Sequence, residues 1–203
     1  EEGDVLWSTI FGSLADDGIY EVEVLPGGAP VVFGWMDADM PLGDITLSHR
    51  GGRDAFVARV NQETGAVLWA GGLGGEGSEY PRAMDIGADG RVALGGRFYG
   101  SGTFGEATLM AANEGTSGYV VIFNDDGSFD GAWACASTTF CEIRAVALPE
   151  AGGEGIAGVS DWDTLELGGD EPVLSMGGYE AAIVRLNAST GDIAWAQTFG
   201  DVY

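Results

Sequence analysis

Short apolar runs, broken by Gly, Asn and Asp, follow one another along this chain, and no stretch sustains a helical period. Three of the runs, Phe56-Val-Ala-Arg-Val60, Tyr119-Val-Val-Ile-Phe123 and Ala182-Ile-Val-Arg-Leu186, each stop at an asparagine: Asn61, Asn124 and Asn187. These asparagines recur every 63 residues. A polar turn follows each one and closes at Gly65, Gly127 or Gly191, and then comes a tryptophan: Trp69, Trp133 or Trp195. Trp7 stands near the start at the same phase. Self-similarity at a fixed period marks units that bury their apolar surface mainly against their neighbours.

Within one unit the pattern predicts four strands, A to D. In the second, Ala83-Met-Asp-Ile86 alternates, Gly87-Ala-Asp-Gly90 turns, Arg91-Val-Ala-Leu94 extends again, and a Gly-rich loop leads to the run ending at Asn124. Asp125-Asp-Gly127 then turns the chain into the Trp133 strand. Strand A carries Val22 and Val24, Met84 and Ile86, and Val146 and Leu148 in successive units. Period-two spacing puts each pair on one face. Strand B reads Val31-Val-Phe-Gly34, Val92-Ala-Leu-Gly95 and Gly155-Ile-Ala-Gly158. The expected class is all-β, with units shaped like β-propeller blades of four antiparallel strands. The expected boundaries are 18–75, 76–138 and 139–203, with 1–17 supplying the outer strand of a preceding blade. The repeated Trp on strand D is expected to wedge against the next blade.

Gly51-Gly-Arg-Asp-Ala-Phe-Val-Ala-Arg-Val60, Thr64-Gly-Ala-Val-Leu-Trp69, Leu73-Gly-Gly75 and Asp89-Gly-Arg-Val-Ala-Leu-Gly-Gly96, with Phe104-Gly105 and Leu109, resemble the SBBP-type β-propeller repeats of bacterial surface and secreted proteins. The resemblance extends over nearly the whole chain in three copies. It implies a propeller fold and a surface or secreted setting, and no shared catalytic set. The second unit departs at Thr116-Ser-Gly118, and the third by its cysteines. Asn61-Gln-Glu-Thr-Gly-Ala-Val-Leu-Trp69 and Asn187-Ala-Ser-Thr-Gly-Asp-Ile-Ala-Trp195 are also similar to the tryptophan-docking motif of pyrroloquinoline-quinone dehydrogenases, except that Asn stands where that motif has Asp.

The strand order is D, then ABCD three times. A ring that closes by placing its first strand in its last blade would lack one of the D strands of Trp7 and Trp195, and both are present. Three blades also fall below the usual minimum of about four. The expectation is therefore an excerpt of a longer propeller, or closure by association of chains, because open sheet edges invite pairing.

Composition narrows the partners. There are 36 glycines without a Gly-X-Y period, and 32 acidic against 8 basic residues, for a formal net charge of −24. Such a surface repels phosphate backbones and anionic membranes, so no nucleic acid and no membrane insertion are expected. No uninterrupted apolar run approaches 18 residues. There is no initiator Met and no leader-like segment, as in a mature product or an excerpt.

Cys135 and Cys141 flank Ala136-Ser-Thr-Thr-Phe140 between strand D and the next strand A. A disulfide there favours an oxidising compartment: extracellular or cell surface, or alternatively the periplasm. Asp37-Ala-Asp39 and Asp161-Trp-Asp163 in the B–C loops are candidate Ca²⁺ ligands, since Ca²⁺ takes six to eight oxygens. No other cofactor is expected. Asn187-Ala-Ser189 is a glycosylation sequon in form. His49 is the sole histidine, and no nucleophile elbow or phosphate-cradling Gly-Lys motif occurs, so an enzyme is not expected. The functional expectation is a structural or adhesive module binding protein, by self-assembly or to the remaining blades of a parent, with glycan a further candidate partner. The alternatives are a quinoprotein-type dehydrogenase propeller and a carbohydrate-binding propeller.

Overall fold

Asn and Gly turns resolve the chain into strands, and among the described residues there is no helix. The computed structural model describes residues 3–112, 115–137, 139–149, 155–162, 165–166, 179–187, 190, 192–200. The first unit contains β1 (Asp17–Val24), β2 (Pro30–Met36), β3 (Met40–Leu42), β4 (Ile45–Leu47), β5 (Asp54–Val60) and β6 (Val67–Gly75). The second contains β7 (Glu79–Ile86), β8 (Val92–Tyr99), β9 (Ser101–Phe104), β10 (Ala107–Met110), β11 (Thr116–Phe123) and β12 (Phe129–Ser137). The third contains β13 (Phe140–Ala147), β14 (Gly155–Trp162), β15 (Leu165–Glu166), β16 (Tyr179–Asn187) and β17 (Asp192–Phe199).

The same antiparallel order appears three times: β1-β2-β5-β6, β7-β8-β11-β12 and β13-β14-β16-β17. Turn chemistry explains the joints. Asn61 Oδ1 accepts from the backbone N–H of Glu63 (2.9 Å) and Thr64 (3.0 Å), which folds the chain back locally. Gly65 and Gly127 then close the turns at φ +72° and +85°, a region side-chain-bearing residues enter at a cost.

Two-residue alternation on the central strands sorts side chains onto two faces. On β5, Ala55 and Val57 join Phe33, Tyr119, Val121 and Phe123 in a core between the first and second units. Phe56, Ala58 and Val60 point the other way, into a cluster with Met36, Met40, Trp7 and Phe11. On β11, Val120 and Ile122 face Ile143, Val159, Val184 and Leu186 of the third unit. Every residue of β11 is buried, as a strand covered on both faces requires.

Two sequence expectations need correction. The B–C connections are not plain loops: β3–β4 and β9–β10 are hairpins, and β9 pairs with β6 of the preceding unit (Leu73↔Phe104, Gly75↔Gly102). β15 does the same to β12. Trp7 does not lie on a strand. Residues 3–13 carry no ladder, because among the described residues no strand runs beside them to supply hydrogen bonds.

Candidate functional site

Contact between consecutive units is where this chain concentrates specific chemistry. Trp69 reaches from β6 across to the turn of the second unit, where its indole N–H donates to the Asp125 carbonyl at 3.0 Å. Its ring lies against Gly127, so that a Cβ there would come within 2.7 Å. One unit earlier, Trp7 repeats the arrangement: its N–H donates to the Gln62 carbonyl at 2.7 Å, and its ring covers Gly65, with a Cβ gap of 2.6 Å. The turn glycines thus serve twice, for the left-handed backbone and for room under the indole. Arg59 adds a bond to the Asp125 carbonyl (2.7 Å) and one to its carboxylate (2.6 Å).

The first strands of successive units are joined by carboxylates that accept from backbone N–H groups. Glu21 accepts from Met84 at 2.7 Å, and Asp85 accepts from Leu148 at 2.5 Å. Glu23 accepts from Ile86, one repeat before the Asp85–Leu148 bond. Burial raises the Glu23 pKa, and so do the nearby charges of Asp85 and Glu21.

Deeper in the first junction lies an acid pair. Asp54 begins β5 and Glu79 begins β7, both fully buried, and their carboxyl groups lie close enough for each to act on the other's charge. Gly74 of β6 packs over them, with room for no Cβ. The Arg50 N–H donates to Asp54 at 2.7 Å. Two ionised carboxylates here would leave Asp54 Oδ1 and both Glu79 oxygens without donors. A proton on Glu79 supplies one. Burial, and then the Asp54 charge, push the Glu79 carboxyl up to about 8. Asp54 is raised too, chiefly by burial. The Tyr119 hydroxyl, fully buried near Glu79, is pushed well above its usual range by burial and by that neighbour.

At the second junction the phase of Glu79 is occupied by Cys141. It bonds Cys135, with Cα atoms 6.4 Å apart, and ties the end of β12 to the start of β13. The disulfide expected from the sequence is therefore present.

Residues equivalent to those buried at the junctions are exposed at the two ends of the stack. Met84 and Ile86 pack toward the first unit, and Val146 and Leu148 toward the second; Val22 and Val24, at the same phase, are 53% and 60% exposed. On β16, Ala182, Val184 and Leu186 are buried while Ala181, Ile183 and Arg185 alternate with them and are exposed. Trp195 is 42% exposed, and Ile156 and Phe199 accompany it. Arg185 stands at the phase of Arg59.

The expected metal residues fall elsewhere. Asp37 receives two hydrogen bonds from Arg53 at 3.0 Å, and Asp39 accepts from the His49 N–H at 2.8 Å. Among the described residues no group of three or more His, Cys, Asp or Glu converges. Asp163 lies outside the described residues, as does the side chain of Asp161. His49 Nε2 contacts the Gly52 carbonyl. Asn124 caps its turn through Ser128 (3.0 Å), and Asn187 Oδ1 accepts from Thr190 at 3.3 Å; Ala188 and Ser189 of the sequon lie outside the described residues. Trp133 is buried in the second junction.

Sequence reasoning missed Asp54, Glu79 and an arginine cluster near Tyr80. The available signal was that all eight basic residues are Arg, with Arg82 and Arg144 at one phase. Among the described residues no helix is long and apolar enough to cross a membrane. No protein-family model and no curated protein matches the sequence.

Proposed function

We propose that this chain is a non-enzymatic structural module: a run of β-propeller-type blades whose partners are further blades of the same kind. One observation carries the reading. The residues that seal each inner junction recur, exposed, on the outer faces: Val22 and Val24 on the first strand, and Ile183 and Trp195 on the third unit. Apolar sheet faces of this kind mark interaction surfaces. Another blade set on the third unit would place an Asn-to-Gly turn under Trp195, as Gly127 sits under Trp69. Those blades belong to a longer parent chain or to another copy. The buried disulfide and the acidic surface suit a secreted or surface-exposed setting.

Light scattering across micromolar to hundreds of micromolar protein tests this. The isolated chain should associate reversibly, and Ile183→Asp with Phe199→Asp should return it to the monomer mass. A monomer at every concentration, with no binding of an apolar dye, would overturn the proposal.

A further inference from the structure

Four of the eight arginines, Arg53, Arg82, Arg97 and Arg144, gather where the first strands of the three units begin, in a chain of net charge −24. Glu142, fully buried, takes Arg82 Nε at 2.5 Å and Arg97 Nη1 at 3.7 Å on one oxygen, and Arg144 Nε at 2.5 Å on the other. Tyr80 sits among the guanidinium groups, with Arg97, Arg82 and Arg53 at 4.8, 5.8 and 5.8 Å from its ring centre. Arg53 is itself engaged by Asp37 and stacks on Trp35 at 3.5 Å.

The donors outnumber their acceptors. Three guanidinium groups present about fifteen N–H bonds, and one carboxylate offers about four lone-pair sites. Arg82 Nη1 also donates to the Pro81 carbonyl at 2.9 Å, while Arg97 Nε is buried with no acceptor among the described residues. Such a surplus of charge beside aromatic rings is more than closing the junction requires.

Backbone geometry adds an independent observation. Each first strand carries a β-bulge at one repeat phase: between Ile19 and Glu21, between Pro81 and Ala83, and between Ile143 and Ala145. The extra residues are Tyr20, Arg82 and Arg144. A bulge leaves its residue out of the ladder and re-aims the side chain, a device common at functional rims. Tyr20 is 48% exposed and the Arg144 side chain 53%. Since β7 packs between β1 and β13, the three bulges stand in a row across adjacent strands.

We propose that this row is an anion-binding site, in which Arg82 and Arg144 grip a carboxylate or sulfate group and Tyr20 and Tyr80 flank it. The planar guanidinium fork fits a two-oxygen anion, and a charge-assisted bond of this type is about twice as strong as a neutral one. At physiological ionic strength charges beyond about 8 Å are largely screened, so the local arginine surplus outweighs the distant carboxylates. Of the nearby acids, Asp37 and Asp16 face Arg53, Glu142 is shared, and the Glu21 carboxylate beside Tyr20 is held by the Met84 N–H.

The group comes either from free inorganic anion or from an acidic saccharide. Calorimetric titration of the intact chain with millimolar sulfate, with a sulfated oligosaccharide and with its neutral parent separates these sources. Saturable binding of an anionic ligand, weakened by added NaCl, supports the site. Arg144→Gln, a half-exposed position, should weaken binding about tenfold or more with the near-UV spectrum unchanged. Tighter binding of the sulfated oligosaccharide assigns a saccharide; equal affinity for sulfate assigns the free anion. Absence of saturable binding, an undiminished Arg144→Gln affinity, or equal binding of the neutral parent would overturn the proposal.

Discussion

Glu79 makes the first junction between units sensitive to pH, and Glu79→Gln isolates that sensitivity. The carboxyl is neutral in the fold, held by burial and by Asp54 at a pKa of about 8, against 4.5 when free. Folding therefore takes up a proton between those values. The contribution of neutral Glu79 is fully present below about pH 4.5 and is lost as pH rises through about 8. Each pH step in that window lowers stability by about 1.4 kcal/mol, and the whole window amounts to about 5 kcal/mol as a ceiling. Glutamine keeps an N–H donor for Asp54 and carries no charge. Urea unfolding followed by tryptophan fluorescence, on wild type and variant between about pH 5 and about pH 9, reads the difference and cancels the other carboxylates. The two proteins should be nearly equal at the acid end. The variant should gain on wild type with increasing pH and level off above about pH 8. A gap that stays constant across the range, or a variant less stable throughout, would refute the coupled-pair account.

Three other outcomes follow from the junction geometry. Trp69→Ala should cost about 2–3 kcal/mol, somewhat under the loss for a fully buried indole, and Trp195→Ala less than about 1 kcal/mol. Equal losses in urea would show that the neighbouring turn adds nothing. Replacing both Cys135 and Cys141 by Ser should lower stability by about 2 kcal/mol on the chain-entropy estimate for so short a loop, checked by thermal unfolding with and without reductant. Because Asp37 is taken by Arg53, a chelator should leave the melting temperature unchanged; a clear drop would restore a cation to the acidic loops.

Much of the fold was legible because its signals are local. Asn61, Asn124 and Asn187 cap turns through their own neighbours, and the paired valines of strand A share a face by alternation alone. The hairpins were not legible. β9 reads Ser-Gly-Thr-Phe, too short and too glycine-rich to announce a strand, and its partner β6 belongs to another unit. The segment around Trp7 has the composition of an outer strand yet forms no ladder, since pairing depends on a neighbour and not on propensity. Arg82 and Arg144 look like ordinary solvated charges until the bulges turn them toward one buried Glu142.

What the amino-acid order determined by itself is the unit: four strands, their turns, and the faces each strand must cover, all set by interactions a few residues long. Which charges became neutral, shared or exposed was decided only in three dimensions. Asp54 and Glu79 are 25 positions apart and unremarkable in a chain with 32 acids. They become a coupled buried pair because Gly74 packs over both carboxyls, and burial together with the Asp54 charge raises the Glu79 pKa.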